Sequence, residues 1–251
     1  SAKFDAAEIA RKVYTDIGYT VELNIMTNIV QQSPDIAQGV DIGGAGDQGI
    51  MYGYATADTP EFLPRILIQV HALAKGLEDL RRGGETWLRP DGKSQITVEG
   101  GKIKTLLVSV QHDAAAEQEF IRTRLIEKLF GPIIGDLAGI EILVNPTGKF
   151  VQGGFDADTG LTGRKIMVDT YGGLLPHGGG CFSGKDPTKV DRSGAYMARF
   201  AAKNIVANGF AKSCLVSVAY AIGRAEPLMI EAVDETGKDL SDVVRNAFDF
   251  K

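Results

Sequence analysis

Hydrophobic and polar positions near the start of the chain follow the period of an α-helix. Asp5, with Glu8 three positions later, has the side-chain pattern of a capping box, and Gly18 is a typical residue for a helix C-terminus. Apolar residues recur between them at helical spacing: Ile9, Val13 and Ile17. The pattern predicts a helix that begins just after Asp5 and ends at Gly18.

Four more segments show the helical period. One apolar stripe runs from Ile66 to Leu80 and is closed by Gly83-Gly84. A helix is also predicted from Asp113, as its cap, to Phe130, and another from about Pro187 to Ala207 with Asp186 as its N-cap. The last apolar helical face lies at the end of the sequence and consists of Leu240, Val243, Val244 and Phe248.

Segments with the two-residue alternation of β-strands, or short apolar runs, lie between these helices. Residues 21–25 alternate, a glycine-rich loop follows from Gly39 to Gly49, and residues 95–110 predict two strands that turn at Gly100-Gly101. The other predicted strands are EILVNP, IMVDTY, CLVSVAYAI and PLMIEAV. Because a long helix, a strand pair and another helix recur in both halves, we expect an α+β fold of repeated domains, with helices on one face of a mainly antiparallel sheet.

Composition and charge exclude several functional classes. The chain has 251 residues, of which 44% are hydrophobic and 24% charged, as in a globular protein with a sizeable core. A formal net charge of −5 repels nucleic acid and anionic membranes. The 2 cysteines are too few for a disulfide framework, and no apolar run is long enough to span a bilayer. We therefore expect a cytoplasmic protein without a nucleic-acid or membrane partner.

Residues 177–194, HGGGCFSGKDPTKVDRSG, approach the pattern of a phosphate-binding P-loop without matching it. The glycines and Lys185 occupy the required positions, but Asp186 stands where the P-loop needs a Ser or Thr hydroxyl to ligate magnesium. With Asp186 as a helix cap, Lys185 would lie just outside a helix N-terminus, where free N–H groups and the helix dipole favour anions. The segment predicts an anion site of a different kind.

Three charged residues follow within the next turns of this helix. The cations Lys189 and Arg192 could bind phosphate oxygens while Asp191 ligates a magnesium ion. The same pattern is also typical of a capped surface helix whose charges are solvated. From this segment alone both interpretations stay open.

Three other glycine-containing loops carry charged residues. Turn chemistry does not require charges in so many loops of this kind, and together they indicate a site for a polyanionic ligand. The loops are GAGDQG with Asp47, WLRPDGKSQ with Asp91 and Lys93 at a turn entering a strand, and GLTGRK with Arg164 and Lys165, preceded by Asp158.

Four long segments resemble the signature segments of the methionine adenosyltransferase family, also called S-adenosylmethionine synthetases. They are GAGDQGIMYGYAT, WLRPDGKSQ, GLTGRKIMVDTYGG and HGGGCFSGKDPTKVDRSGAYMARFAAKNIV. The resemblance implies a fold of three similar α+β domains with pseudo-threefold symmetry. It places residues 1–42 in a remnant of the first domain with a gating loop, residues 43–157 in the central domain and residues 158–251 in an incomplete third domain.

The reaction implied by the resemblance joins L-methionine to ATP. The methionine sulfur attacks C5′ of ATP, the whole triphosphate leaves, and the triphosphate is hydrolysed to pyrophosphate and phosphate. The family also implies two Mg²⁺ ions and K⁺ as cofactors, and dimers or tetramers with active sites between subunits. Because negative charge builds on the leaving triphosphate, we expect catalysis to depend on positioning and on cations around it.

The functional positions of the family can be transferred to this sequence motif by motif. The resemblance implies that the triphosphate is held by the catalytic cations Lys93, Arg164, Lys165 and Lys185. The other positions of the ATP site are Asp91, Lys149, Phe150, Asp158, Cys181 and Ile222, with the Phe150 ring packed on adenine. Methionine would be bound by Gln32, Asp47, Asp158 and Lys189, and magnesium by Asp191.

The sequence also departs from the family pattern. A segment reading roughly Glu-Gly-His-Pro-Asp-Lys, which serves ATP and metal near the family's N-terminus, is absent, and the last helical pattern reaches Lys251 without a stop signal. Lys149 replaces the usual arginine, and the loop between Val40 and Gly44 is shorter than in many relatives. We therefore expect a chain without the family's N-terminal catalytic segment and C-terminal end.

Two other classes of function stay open from the sequence. An ATP-dependent phosphotransferase would use similar lysines but would release ADP or AMP. A non-catalytic regulatory paralogue would lack the first catalytic segment and stabilise an active subunit. None of the three histidines, His71, His112 and His177, lies in the context of the family's catalytic histidine.

Overall fold

The computed structural model of the chain describes residues 3–41 and 43–251. The chain forms two compact units, each built from two segments of the sequence. Unit 1 contains Ile68–Thr159 and the described residues up to Val30, and unit 2 contains Gln31–Leu67 and Gly160–Lys251.

The described residues form both helices and strands. In chain order the helices are α1 (Ala6–Ile17), α2 (Pro34–Val40), α3 (Arg65–Arg82), α4 (Gln118–Leu125), α5 (Gly131–Ile134), α6 (Val190–Ala207) and α7 (Ser241–Ala247). The strands are β1 (Gly49–Thr56), β2 (Leu88–Glu99), β3 (Lys102–His112), β4 (Glu141–Val144), β5 (Ser213–Tyr220) and β6 (Met229–Asp234). A π-helical turn, Ile126–Phe130, joins α4 to α5. Within residues 3–41 and 43–251, no helix has the length and hydropathy to cross a membrane.

Unit 1 is built on the sheet β2–β3–β4. β2 and β3 form the predicted antiparallel hairpin, which turns at Gly100 and Gly101 with φ values of 56° and 76° that glycine adopts without strain. β4 pairs with β3 in parallel, and α3 follows the predicted stripe. The core consists of fully buried side chains from the helices and from β3: Leu73, Leu106, Val108, Ile121, Leu125 and Phe130.

Helix α1 begins and ends where the sequence predicts. Asp5 Oδ1 accepts hydrogen bonds from two N–H groups of the first turn, both at 2.9 Å, and Gly18 has a φ of 112°. The predicted apolar face is nevertheless solvent-exposed, because Ile9, Val13 and Ile17 are 52%, 51% and 41% exposed. Tyr14 is the buried residue of α1, and its ring is stacked between two other aromatic rings.

Unit 2 is built on the antiparallel sheet β1–β5–β6. Helix α6 packs on this sheet through small side chains, and Ala198, Ala201 and Ala202 have no exposed surface. The closest approach is at Gly53 of β1, where a Cβ atom would lie 2.0 Å from the backbone nitrogen of Arg199. Helices packed with one antiparallel sheet and one mixed sheet confirm the predicted α+β class.

Two predicted strands are wrong. Residues 21–25 form no strand, because no strand of either sheet in the described part of the chain pairs with them. The segment Ile166–Tyr171 consists of turns, in which the Thr170 hydroxyl donates to the Ile166 carbonyl at 2.9 Å. Local hydrogen bonds of this kind compete with a strand ladder, so an apolar pattern alone does not decide the structure.

Two predicted helix caps are also wrong. Asp113 and Asp186 each accept a hydrogen bond from the N–H two residues ahead, at 3.1 and 2.8 Å, but each closes an isolated turn. Helices α4 and α6 begin only after these turns, and the helical path beyond α4 continues past Phe130 into α5. An aspartate carboxylate that accepts a hydrogen bond from the N–H two residues ahead is typical of an Asx turn as well as of a helix start. Lys185 therefore lies several residues before α6, and not at its N-terminus.

The sequence patterns missed β1 and α2 and misplaced the start of β2. Helix α2 ends and strand β1 begins within residues 39–49, a segment whose glycines predicted only a loop. Strand β2 already begins at Leu88, so Asp91 and Lys93 lie within the strand. Asp91 lies within an irregularity in strand register between Leu88 and Gly92, and Lys93 lies just after it, so the two residues do not form the predicted turn before the strand.

Candidate active site

An ion pair between Lys185 and Asp191 forms the centre of the candidate site in unit 2. The Lys185 ammonium donates to Asp191 Oδ2, and the two side chains are 27% and 16% exposed. The hydrogen bond to Asp191 raises the pKa of Lys185, and the negative charge of Asp191 and the nearby Cys181 thiol raise it further. Lys185 is therefore a positive charge held in place at neutral pH.

Two neighbouring groups fix the position of this ion pair. The Arg192 guanidinium donates to the carbonyl oxygen of Lys185 and lies 5.8 Å from the ring centroid of Tyr196. The backbone of Gly180 lies against Asp191, because a Cβ atom at Gly180 would be 2.3 Å from Asp191 Cγ. A side chain at this position would displace the carboxylate, so glycine allows the loop backbone to approach it.

Asp186 supports the loop through hydrogen bonds to Thr188. Its Oδ1 accepts from the hydroxyl and the N–H of Thr188, and these hydrogen bonds hold the pKa of Asp186 below its usual range. The Lys185 N–H donates to the Phe182 carbonyl at 3.1 Å. The lysine is thus followed by a turn, whereas a P-loop would place a helix directly after it. The structure confirms that this segment is not a P-loop.

The loop with Arg164 and Lys165 lies beside this ion pair. A Cβ atom at Gly163 would be 2.7 Å from Cβ of Cys181, so the two loops touch at these residues. The side chains of Arg164 and Lys165 are exposed to solvent. Unit 2 therefore brings three of the four predicted triphosphate cations onto adjacent loops.

Three predicted methionine-binding positions lie around the start of α6. Lys189, the N-cap residue of α6, donates to Gln32 Oε1 at 2.5 Å. The loop of Asp47 lies next to the turn before α6, because a Cβ atom at Gly46 would be 3.7 Å from the carbonyl oxygen of Thr188. The Asp47 carboxylate is exposed and accepts from the following N–H at 2.8 Å.

The turn that carries Ile222 is bound to the Asp47 loop through the backbone. The Gly223 N–H donates to the Ala45 carbonyl at 2.8 Å. The Ile222 side chain is 52% exposed. An apolar surface for an aromatic ring is therefore available next to the loop that carries Asp47.

The other predicted positions lie in unit 1. In β2, Asp91 accepts through Oδ2 from the Gly154 N–H at 2.9 Å, and this hydrogen bond fixes the backbone that follows Phe150. The Phe150 side chain is partly exposed. The remaining predicted residues of unit 1 have exposed side chains and are Lys93, Lys149 and Asp158.

Sequence reasoning missed the buried polar side chains behind the Lys149–Phe150 segment. Asn145 is 3% exposed, its Oδ1 accepts from the Val110 N–H at 2.8 Å, and its Nδ2 donates to the Val110 carbonyl at 3.1 Å. The side chain thus continues the hydrogen bonding of β3 after β4 has ended. The backbone of Asn145 has a φ of 42°, a region that asparagine adopts more readily than most residues. No local pattern around Asn145 predicts this role.

Asn145→Ala is expected to lower the free energy of unfolding of unit 1 by about 2 to 4 kcal/mol, because the buried backbone of Val110 loses both partners and alanine does not favour positive φ. Asn145→Gly removes the same hydrogen bonds without the backbone strain and should cost about 1 kcal/mol less. Urea unfolding followed by the fluorescence of Trp87, the single tryptophan of the chain, measures both variants. An alanine variant as stable as the unmodified protein would contradict this role for Asn145.

Asp191 is the residue predicted to ligate magnesium. Within residues 3–41 and 43–251, no three His, Cys, Asp or Glu side chains converge on a position that could hold a metal ion. Magnesium at phosphate sites often takes one or two carboxylates and completes its shell with phosphate oxygens and water. Asp191 therefore fits one position of such a shell, and the described residues do not form a complete site.

Comparisons with known proteins identify the family of the chain. The family model for the central domain of S-adenosylmethionine synthetase matches residues 42–150, and the model for the C-terminal domain matches residues 152–251. The S-adenosylmethionine synthase of Pseudothermotoga lettingae is 48% identical over 100% of this chain and 73% of its own length. The synthase of Kosmotoga olearia is 47% identical with the same coverage. That of Desulforudis audaxviator is 49% identical over 94% of this chain and 67% of its own.

The fold and the loops define an α+β protein in which cationic, glycine-rich loops gather at the start of one helix. The two domain models and the three relatives narrow this class to one family. The chain belongs to the S-adenosylmethionine synthetase family. The resemblance carried by the four signature segments is thereby confirmed.

Proposed function

We propose that the protein synthesises S-adenosylmethionine from ATP and L-methionine. The observation that carries the proposal is the grouping of Lys185, Arg164 and Lys165 on adjacent loops, with Lys185 paired to the Asp191 carboxylate, in a chain whose relatives are named S-adenosylmethionine synthase. A triphosphate carries several negative charges along its length. Cations on neighbouring loops match such a group better than a single phosphate.

The proposed reaction is a displacement at carbon. A lone pair of the methionine sulfur forms the S–C5′ bond, the C5′–O bond breaks with its electron pair on oxygen, and the first products are a sulfonium and triphosphate. Water then hydrolyses the triphosphate to pyrophosphate and phosphate. The neutral sulfur needs no general base. The rate therefore depends on alignment of sulfur with C5′ and on positive groups that stabilise charge on the departing oxygen. Lys185 is the best-fixed of these groups, because Asp191 and Arg192 hold its side chain and backbone.

The other predicted residues take supporting parts in this proposal. Arg164 and Lys165, with Lys93 of unit 1, bind triphosphate oxygens, and Asp91 and Cys181 belong to the same ATP site. The Phe150 ring and the Ile222 side chain pack on adenine, beside Lys149. Methionine and ribose are bound by Gln32, Asp47, Asp158 and Lys189.

The cofactors, assembly and domain limits remain part of the proposal. Mg²⁺, when bound, supplies charge neutralisation on the triphosphate, with Asp191 as one ligand, and K⁺ is a second expected cofactor without an assigned residue. We further propose a cytoplasmic dimer or tetramer with active sites between subunits. Residues 1–42, 43–157 and 158–251 would correspond to parts of three domains.

This proposal is tested by identifying which bond of ATP breaks. Phosphorus NMR of the protein with ATP, methionine, Mg²⁺ and K⁺ should show equal amounts of phosphate and pyrophosphate, with no ADP or AMP. Accumulation of ADP or AMP would instead indicate a phosphotransferase. Unchanged ATP, with methionine and ATP both bound in calorimetry, would indicate a regulatory subunit. Either result would overturn the proposed reaction.

A further inference from the structure

His112 connects the end of β3 to the backbone of Phe150 by two hydrogen bonds. The His112 N–H donates to the Phe150 carbonyl at 2.9 Å, and the Phe150 N–H donates to His112 Nε2 at 3.0 Å. A strand residue normally offers its neighbour only backbone groups. Here the imidazole acts as the acceptor that a further strand residue would provide.

The second ring nitrogen fixes the imidazole in this role. His112 Nδ1 lies 2.8 Å from the carbonyl oxygen of Asp113, which can only accept a hydrogen bond, so Nδ1 carries the hydrogen and Nε2 is free to accept. The side chain is 2% exposed, so water does not compete for either nitrogen. Both nitrogens are therefore used, and each sets the orientation of the ring.

Adjacent side chains hold the residues that follow Phe150. Gln111 is 9% exposed, and its Nε2 donates to the Val151 carbonyl at 3.0 Å. A Cβ atom at Gly153 would lie 2.6 Å from the Gln111 side chain, so the backbone passes directly over it. Two consecutive residues of β3, Gln111 and His112, thus hold the segment from Phe150 to Gly153. The Phe150 side chain stays partly exposed.

We propose that His112 is a positioning residue for ATP: by accepting from the Phe150 N–H it fixes the backbone that presents the Phe150 ring to adenine. This inference rests on the proposed function, because it assumes that Phe150 packs on the base. His112 itself is buried and does not touch the nucleotide. Its loss should therefore weaken ATP binding and leave methionine binding unchanged.

Three substitutions separate the possible roles of the ring. His112→Gln places an amide oxygen close to the position of Nε2 and keeps the bond to Phe150. His112→Asn keeps a donor for Asp113 but does not reach Phe150. His112→Leu fills the space and makes neither hydrogen bond.

We expect His112→Asn and His112→Leu to raise the KM for ATP about fivefold to tenfold, the usual effect of one lost hydrogen bond, with the KM for methionine within about twofold. His112→Gln should stay within about twofold on both. Hydrogen exchange of the Phe150 amide should accelerate about tenfold in the first two variants and not in the third. Urea midpoints identify any variant that fails to fold.

The pattern across the variants decides the proposal. Near-normal values for His112→Leu would mean that the ring only fills space, and near-normal values for His112→Asn would mean that the Asp113 contact matters instead. Either result would overturn the proposal. If the unmodified protein makes no S-adenosylmethionine, the proposed function fails, and the hydrogen-exchange comparison still decides whether His112 holds Phe150.

Discussion

Gly53→Ala is expected to destabilise unit 2 by about 3 kcal/mol or more, because the added methyl group has no space between β1 and α6. A Cβ atom at this position would lie 2.0 Å from Arg199 N and 2.1 Å from the carbonyl carbon of Ala198. These atoms belong to the helix backbone, so a rotamer change cannot relieve the clash. The whole helix would have to move away from the sheet.

The effect should be large because the core of unit 2 depends on this close contact. Arg199 donates to the carbonyl oxygens of Tyr54 and Phe62 at 2.6 and 2.8 Å, so displacement of α6 would also separate these partners. The Arg199 side chain is partly buried, and this burial lowers its pKa, so the charge depends on these acceptors. A shifted helix would leave a partly buried charge without its hydrogen bonds.

Thermal unfolding by circular dichroism measures this prediction. A midpoint about 10 °C lower is expected for Gly53→Ala. Gly160→Ala is the matched control in the same unit, because no atom lies within 4 Å of its Cβ position. A Gly53→Ala variant as stable as this control would show that α6 does not lie against β1 as described.

Lys185→Ala is expected to lower kcat about 10²-fold to 10³-fold, the usual effect of losing one fixed group that stabilises charge in a transition state. The substitution also leaves the Asp191 carboxylate unpaired beside the leaving group, where it would repel triphosphate. Lys185→Arg keeps the charge but changes its geometry, and a loss of about tenfold is expected. The KM for methionine should change much less than kcat in both variants.

Lys212→Ala provides the control for this prediction. Lys212 is exposed and precedes β5, whereas the turn that carries Ile222 follows the other end of that strand, about 20 Å away. Steady-state rates of S-adenosylmethionine formation should be unchanged in this control. Equal rates for Lys185→Ala and Lys212→Ala would show that Lys185 takes no part in the reaction.

The sequence predicted those elements whose signals are local. Helix α1 follows from Asp5 and Gly18 at its two ends, and the hairpin of β2 and β3 follows from Gly100-Gly101. The apolar face of α1 was equally clear as a pattern, yet it is exposed in unit 1. Periodicity therefore predicts that a helix forms and does not tell which surface covers it.

The wrong and missed elements depend on partners far away in the sequence. Strand β1 contains two glycines and pairs with β5 more than 150 residues later, so its own composition gives a weak strand signal. Residues 21–25 show the alternation of a strand but have no pairing partner in either sheet of the described part of the chain. Asp113 and Asp186 each close a turn with the same kind of hydrogen bond that caps a helix.

The residues of the candidate site could be predicted because they lie in long motifs, but their supports could not. Lys185 and Asp191 are six positions apart in one segment, and the structure pairs them. The bond between His112 and Phe150 joins residues 38 positions apart. It arises only when β3 and the segment after β4 are side by side, so neither residue predicts it from its own neighbours.

In the proposed reaction, this protein forms S-adenosylmethionine with Lys185 at the leaving group. The most direct measurement is mass spectrometry of the product after incubation with ATP, isotopically labelled methionine, Mg²⁺ and K⁺. We expect labelled S-adenosylmethionine from the unmodified protein and from Lys212→Ala, and about 1% or less of that amount from Lys185→Ala at early times. No labelled product from a folded protein that binds both substrates would contradict the proposed reaction.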